Sequence, residues 1–104
     1  MTRQVRRRYL ALRVEALGPV SQRDLSDSIW DAVLRLFGEV GGSQAGLYLV
    51  RFDAGDDYAV LRCSHKALPM VRAAVASVTR IGNVAAAIHV LRVSGSLRAL
   101  RAKV

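Results

Sequence analysis

The chain has one cysteine, Cys63, in 104 residues. No intramolecular disulfide can staple it, and so sparing a use of cysteine points to a reducing, cytoplasmic setting. It has two histidines, His65 and His89, and no second cysteine to make the C-x₂₋₄-C pairing of zinc sites. No apolar run approaches the roughly 20 residues that span a bilayer. The N-terminal MTRQVRRRY is basic and lacks the apolar core of a secretory signal. No membrane association is expected. A chain of this length suggests one domain, residues 1–104, whose modest core leaves little room for a deep cleft.

Acidic residues are also in short supply, with 8 Asp+Glu against 16 Lys+Arg and a net charge of +8. The excess is unevenly placed. Residues 9–91 hold eight bases (seven arginines and Lys66) and all eight acids, so that body is neutral. The surplus lies in Arg3, Arg6, Arg7 and Arg8 at one end and Arg92, Arg98, Arg101 and Lys103 at the other. Clustered arginine favours polyanions, because its planar fork meets phosphate oxygens two at a time. The plainer account is a pair of solvated tails.

Periodicity sets the element order. RRRYLALRV (6–14) alternates as a strand. Ser21 with Asp24 makes a partial capping box for a helix whose stripe is Leu25, Ile29, Ala32, Val33, Leu36 and Phe37, with Gly38 at its end. The glycine-rich EVGGSQAG reads as a loop. Strands follow at 47–52 and 58–63 around the acidic turn DAGDD, then a second helix with Pro69 in its first turn, ended by Ile81-Gly82-Asn83, and a strand at 85–93. SGSLRALRAKV is either a short helical turn or a tail. The β-α-β-β-α-β order predicts an α+β sandwich of the ferredoxin-like class, with a four-stranded antiparallel sheet in the order 4-1-3-2 and both helices on one face. The first and last strands are then neighbours, and the two basic ends converge. Arg6, Arg7, Arg8, Arg92, Arg98, Arg101 and Lys103 are therefore the candidate RNA-binding residues.

Strict alternation assigns Leu10/Leu12/Val14, Tyr48/Val50/Phe52 and Ala59/Leu61/Cys63 to the helix side. Tyr9, Leu47, Leu49, Tyr58 and Val60 then lie on the other side, with Ile88/Val90/Arg92 as the favoured set from the last strand. That face is apolar in its middle, which calls for a cover. Either the C-terminal segment, with Leu97 and Leu100 inward, or a partner protein supplies it. On the second alternative Tyr9, Leu47, Leu49, Tyr58 and Val60 are candidate protein-interface residues.

Cys63-Ser64-His65 admits three chemistries. A nucleophilic cysteine needs a cation or helix N-terminus to lower its pKa. A metal site needs more ligands than Cys63, His65 and His89 supply. A buried cysteine acting as a small hydrophobe needs nothing further, and its place beside Ala59 and Leu61 favours that reading. His65 then caps, or bonds a backbone group or a phosphate. The glycines at 38, 41, 42 and 46 match no phosphate-loop pattern, and Asp53, Asp56 and Asp57 are explained by turn chemistry. Trp30 fits the rim of the core or an interface anchor. Strand DYAVLRC carries only Tyr58 where RNA-recognition motifs stack bases on several aromatics, so standard sheet-face stacking is not expected.

Four stretches together carry a resemblance: RRRYLALRV (6–14), LFGEVGGSQAGLYLVRFD (36–53), RCSHKALPMVRAAV (62–75) and VLRVSGSLRALRAK (90–103). In this order and spacing the chain resembles the small ribonuclease P/MRP subunit family, whose archaeal members are ribonuclease P protein component 2. It departs from that family in opening its second helix with Leu68-Pro69 where a charged pair is more usual. The resemblance implies an RNA-recognition-motif-like fold without the stacking aromatics. It also implies a non-catalytic subunit of the ribonucleoprotein that removes 5′ leaders from precursor tRNA. The implied partners are ribonuclease P RNA, precursor tRNA and the TIM-barrel subunit, protein component 3, in a heterotetramer or with a homodimer of this chain. The resemblance puts the chemistry on the RNA and its Mg2+ ions, with no cofactor on this chain.

Two rivals share the topology. An acylphosphatase-type enzyme needs a glycine-rich phosphate cradle after the first strand, and EALGPVSQRD offers only Gly18. A ligand-sensing or generic RNA-binding ferredoxin-like module is the other, though ligand sensing has no use for charge gathered at the ends.

Overall fold

The computed structural model describes residues 6–101, with the side chains of Val40 and Arg101 outside that description. The order of elements is β1 (Arg7–Ala16), α1 (Gln22–Gln44), β2 (Tyr48–Asp53), β3 (Tyr58–Ser64), α2 (Leu68–Ser77), β4 (Arg80–Ile81), β5 (Val84–Ser94) and α3 (Leu97–Arg101). The architecture is mixed α/β around one antiparallel sheet of five strands, in the order β2-β3-β1-β5-β4. The sequence reading had four strands. It took Ile81-Gly82-Asn83 as the end of the second helix, but α2 stops at Ser77 and Arg80–Ile81 turns back onto β5. Gly82 (φ 59°) makes the tight turn, and its Cα approaches Asp24 so closely that a Cβ would sit 2.9 Å from a carboxylate oxygen.

The main core lies between the sheet and α1 and α2. Leu10, Leu12 and Val14 of β1 and Ala59, Leu61 and Cys63 of β3 face Leu25, Ile29 and Val33 of α1 and Val71, Ala74 and Val75 of α2. Among the described residues no buried position is polar or charged. The Ser21 hydroxyl accepts the Asp24 N–H at 3.0 Å and starts α1 as the capping pattern requires. Gly38 does not end the helix. It bends it, with φ 76° and ψ 179°, and the helix resumes to Gln44. The stretch read as a glycine-rich loop is therefore the second limb of α1. Its glycines serve close approach: a Cβ on Gly42 would lie 2.8 Å from Leu34, and one on Gly41 3.3 Å from the Met70 sulfur of α2.

Two β-bulges break the strict alternation. Tyr48 and Leu49 pair with Arg62 and Leu61, but Arg51 pairs with Val60, so Val50 is extra. Leu47 and Leu49 consequently join the helix-side core, Phe52 remains on that side, and Tyr48 and Val50 leave it. On β5 the register slips at Leu91, between Val90, opposite Leu12, and Arg92, opposite Ala11. Ile88 and Val90 thus face the helices, contrary to the favoured set, while Arg92 keeps the opposite side.

The second face carries a small cluster of its own. Ala11, Val60 and Leu100 are buried there, flanked by Tyr9, Val50, Tyr58 and Leu97. The C-terminal segment is the cover. Ser96 caps α3 by accepting the Ala99 N–H at 3.1 Å, and Arg92 donates to the Leu100 carbonyl at 3.4 Å at the other end.

Candidate nucleic-acid interface

β1 and β5 bring the two basic ends to one edge of the molecule. Tyr9 pairs with Ser94, and Arg8 extends its guanidinium to within 3.6 Å of where a Cβ on Gly95 would sit. On the other flank Arg7 pairs with Ser64 and Arg8 with Cys63, and the His65 N–H donates to the Arg6 carbonyl at 2.7 Å. Arg6, Arg7 and Arg8 are thus held between the end of β3 and the end of β5. Arg6 and Arg7 are exposed and Arg8 is half-buried. Arg92 is half-buried, with part of its guanidinium committed to α3, and Arg98 stands exposed on that helix. Arg3, Lys103 and the Arg101 side chain lie outside the described residues.

His65, for which the sequence leaves a phosphate as one of three partners, and Lys66, which is not among the RNA-binding candidates, also belong to this patch. Both are exposed where β3 leaves the sheet, next to Arg6. The antiparallel pairing of β1 with β3, implicit in the expected topology, was the signal that could have found them.

Charge pairing separates this edge from the body. Among the described residues the ion pairs are Arg13–Glu15 at 3.3 Å, Arg23–Asp27 at 3.9 Å, Arg35–Asp31 at 3.2 Å, Arg51–Asp53 at 3.8 Å and His89–Glu15 at 3.7 Å. All lie away from the terminal arginines, and none involves Arg6, Arg7, Arg8, Arg92 or Arg98. These exposed pairs add little stability. Their consequence is electrostatic: the body's cations are partly compensated, whereas the edge keeps an uncompensated positive field.

The candidate protein-interface residues divide. Leu47 and Leu49 are buried in the main core, because the bulge at Val50 reverses their side. Val60 is 3% exposed, covered by α3, with Tyr9 and Tyr58 half-buried at the margins of that cover. Three apolar side chains of α1 are open to solvent as well: Leu34, Leu36 and Phe37 are 42%, 47% and 41% exposed. Leu36 and Phe37 had been assigned to the buried stripe. The bend at Gly38 follows them directly, and the helix limb that would have carried the stripe onward turns toward α2.

Cys63 is a fully buried free thiol, and burial pushes its pKa from 9.0 up to about 11, partly opposed by the Arg8 guanidinium. It is a poor nucleophile in this setting. The His65 side chain is exposed while Cys63 faces the core, so the two do not form a nucleophile–base pair. Among the described residues no three His, Cys, Asp or Glu side chains come together as a metal-ligand set. No helix there is long and apolar enough to cross a membrane.

The family model described as Rpp14/Pop5 matches residues 8–104. The chain belongs to the Rpp14/Pop5 family. It is 31% identical over 98 residues to ribonuclease P protein component 2 of Pyrococcus furiosus, covering 94% of this chain and 82% of that protein. The protein of the same name from Archaeoglobus fulgidus is 34% identical over 98 residues, covering 94% and 87% of the two chains. That from Methanosarcina mazei is 30% identical over 95 residues, covering 91% and 80%. A chain of the cryo-EM structure of yeast ribonuclease MRP superposes with a TM-score of 0.72 at 16% identity, over 94% of this chain and 80% of the other, and shares the fold. The Rpp14/Pop5 match thus spans the buried face of the sheet and includes Arg8, Arg92 and Arg98 of the basic edge, beginning just after Arg6 and Arg7.

Proposed function

We propose that this Rpp14/Pop5-family chain is a protein subunit of ribonuclease P that assists the catalytic RNA in removing 5′ leaders from precursor tRNA. Relatives about 30% identical over nearly the whole chain are ribonuclease P protein component 2, and that likeness supports the reading. The structural observation that carries it is the edge of arginines without acidic partners among the described residues, set against a body in which Arg13, Arg23, Arg35 and Arg51 have carboxylate partners. Arg6, Arg7, Arg8, Arg92 and Arg98 contact RNA phosphates, and Arg101 and Lys103 are assigned the same role from the sequence. Four of the five strands follow the order of the ferredoxin-like and RNA-recognition-motif folds, β4 being an addition at the edge.

The other partners follow from the same proposal. Precursor tRNA is the substrate of the assembly, and the Mg2+ ions belong to the RNA. The chain works in the cytoplasm and pairs with protein component 3, in a heterotetramer or around a homodimer. The apolar surface at Leu34, Leu36 and Phe37 and the margin residues Tyr9 and Tyr58 are its protein contacts. This helix edge replaces Leu47 and Leu49, which the core has taken.

The test is reconstituted precursor-tRNA cleavage with and without the chain, alongside RNA affinity measured against salt. Each phosphate neutralised contributes a slope of about −0.7 to −0.9 in log K against log salt. Replacing Arg6, Arg7 and Arg8 by alanine is expected to lower affinity for all RNA sequences alike and to flatten that slope. An unchanged slope removes the RNA-binding role from these residues, and cleavage indifferent to the chain removes the subunit role.

A further inference from the structure

Between the basic edge and β2, three residues stand in one register row across the sheet: Tyr48 opposite Arg62, and Arg62 opposite Tyr9. The bulge at Val50 brings Tyr48 to this side, so the row was invisible to strict alternation. The Arg62 guanidinium lies over the Tyr48 ring, 4.8 Å from its centroid. Tyr48 nevertheless keeps 53% of its surface exposed. The Arg62 Nε is buried and has no hydrogen-bond partner, and no carboxylate pairs with this guanidinium. Two register positions away, on the same face, stand Arg7 and Ser64. All four line an open groove of about 390 Å³ with Trp30 at its far wall, and no residue lining it is acidic. The neighbouring groove on the other side of Trp30 is lined by Asp24, Asp27 and Asp31.

We infer that the Tyr48–Arg62 pair is a binding site for an unpaired nucleotide of RNA, whose base stacks on the open part of the Tyr48 ring and whose phosphate is met by Arg7. This rests on the RNA-binding reading above and gives it a single-stranded component. Aromatic rings and guanidinium planes both stack on nucleobases, and every base has a face to offer, so the site reads strandedness rather than sequence. A partly desolvated guanidinium without a counter-ion is costly, and a phosphate close by offsets that cost. Arg62 also holds the ring in place before a ligand arrives, which lowers the ordering cost of binding. A base in a duplex keeps its faces within its own stack. The site therefore adds affinity for single strands only.

The experiment uses the full chain and two RNA probes, a short single-stranded oligouridylate containing one 2-aminopurine and a duplex of similar length. Wild type is expected to bind both, with fluorescence quenching of the 2-aminopurine on stacking. Tyr48→Ala is expected to lose on the order of tenfold in single-strand affinity and the quenching with it, while duplex affinity and the salt slope stay unchanged. Tyr48→Phe is expected to retain both. Unchanged single-strand affinity in Tyr48→Ala overturns the site. So does equal loss on both probes, or loss of association with the protein subunit alone, which would make Tyr48 a protein contact. A wild-type chain that binds neither probe at low salt removes the RNA-binding reading as a whole.

Discussion

Val60 and Leu61 are adjacent on β3, point to opposite faces of the sheet, and are almost equally buried, at 3% and 1% exposure. Their surroundings differ. Leu61 sits in a core closed by two helices packed across the sheet, whereas Val60 sits in a cluster closed by the five residues of α3. Equal burial therefore does not mean equal cooperativity. Opening the helix side means dismantling the domain. Among the described residues the second face is covered by α3, held by Leu97 and Leu100, a Ser96 cap and an Arg92 hydrogen bond, and it opens when that short helix lifts away. The side with the weaker closure is also the side that carries Arg7, Arg62, Tyr48 and Arg92.

The sharpest way to break this contrast is to truncate both neighbours. Leu61→Ala is expected to destabilise the chain by about 2–5 kcal/mol, since the helices cannot collapse onto the space left. Val60→Ala removes two carbons from a face whose cover can settle, and a cost of about 1–2 kcal/mol is expected. Urea denaturation followed by circular dichroism measures both. Equal losses would mean that α3 is as integral to the fold as α1 and α2.

How much of this was legible in the sequence depends on where the backbone departs from regular geometry. The β1–β3 pairing runs unbroken from Arg7–Ser64 to Arg13–Tyr58, and alternation placed Leu10, Leu12, Val14, Ala59, Leu61 and Cys63 correctly. The meeting of the two basic ends followed from topology alone, and the family resemblance was carried by four stretches of sequence. Leu47 and Leu49 were misassigned because one extra residue, Val50, inverts every side chain on the N-terminal side of it. No residue type in LYLVRF marks that bulge. Gly38 was read as a terminator because left-handed glycine usually stops a helix, and here the chain re-enters helix after it. β4 did have a signal, the two-residue Gly82-Asn83 turn between Ile81 and Val84, which is a hairpin pattern. The nucleotide site combines Tyr48 from β2 with Arg62 from β3, a pairing that only register reveals.

A milder probe of the weaker closure is Leu100→Ala. Leu100 is 2% exposed, a burial that in the main core would cost several kcal/mol. Here the loss cannot exceed the free energy with which α3 docks, so about 1 kcal/mol is expected. Hydrogen exchange should quicken at α3 and across the Ala11–Val60 pairing while the amides around Leu12 and Leu61 keep their protection. Uniform loss of protection would show that the two faces open together.

The smallest effect concerns the strong side and has a pH signature. Cys63→Ala should cost on the order of 1 kcal/mol near neutral pH, the loss of one small buried group. The buried thiol titrates at about 11 in the folded chain against 9.0 in the unfolded one. Above pH 9.0 the unfolded chain releases the proton while the folded chain keeps it, so the folded state binds more protons and stability falls as pH rises. The fall levels off once pH passes about 11 and both states are ionised. Cys63→Ala lacks this component. The difference in unfolding free energy between wild type and variant should therefore be constant below pH 9.0 and then fall by up to about 1.4 kcal/mol per pH unit, passing through zero and reversing before about 11, even though other groups titrate in both proteins. Thiol labelling gives a second readout. At neutral pH a disulfide reagent should modify Cys63 only as fast as the helix side opens, and Leu100→Ala should leave that rate unchanged, because α3 guards the other face. Rapid labelling of the native chain, or acceleration by Leu100→Ala, would mean that the helix side is not the closed face its packing describes.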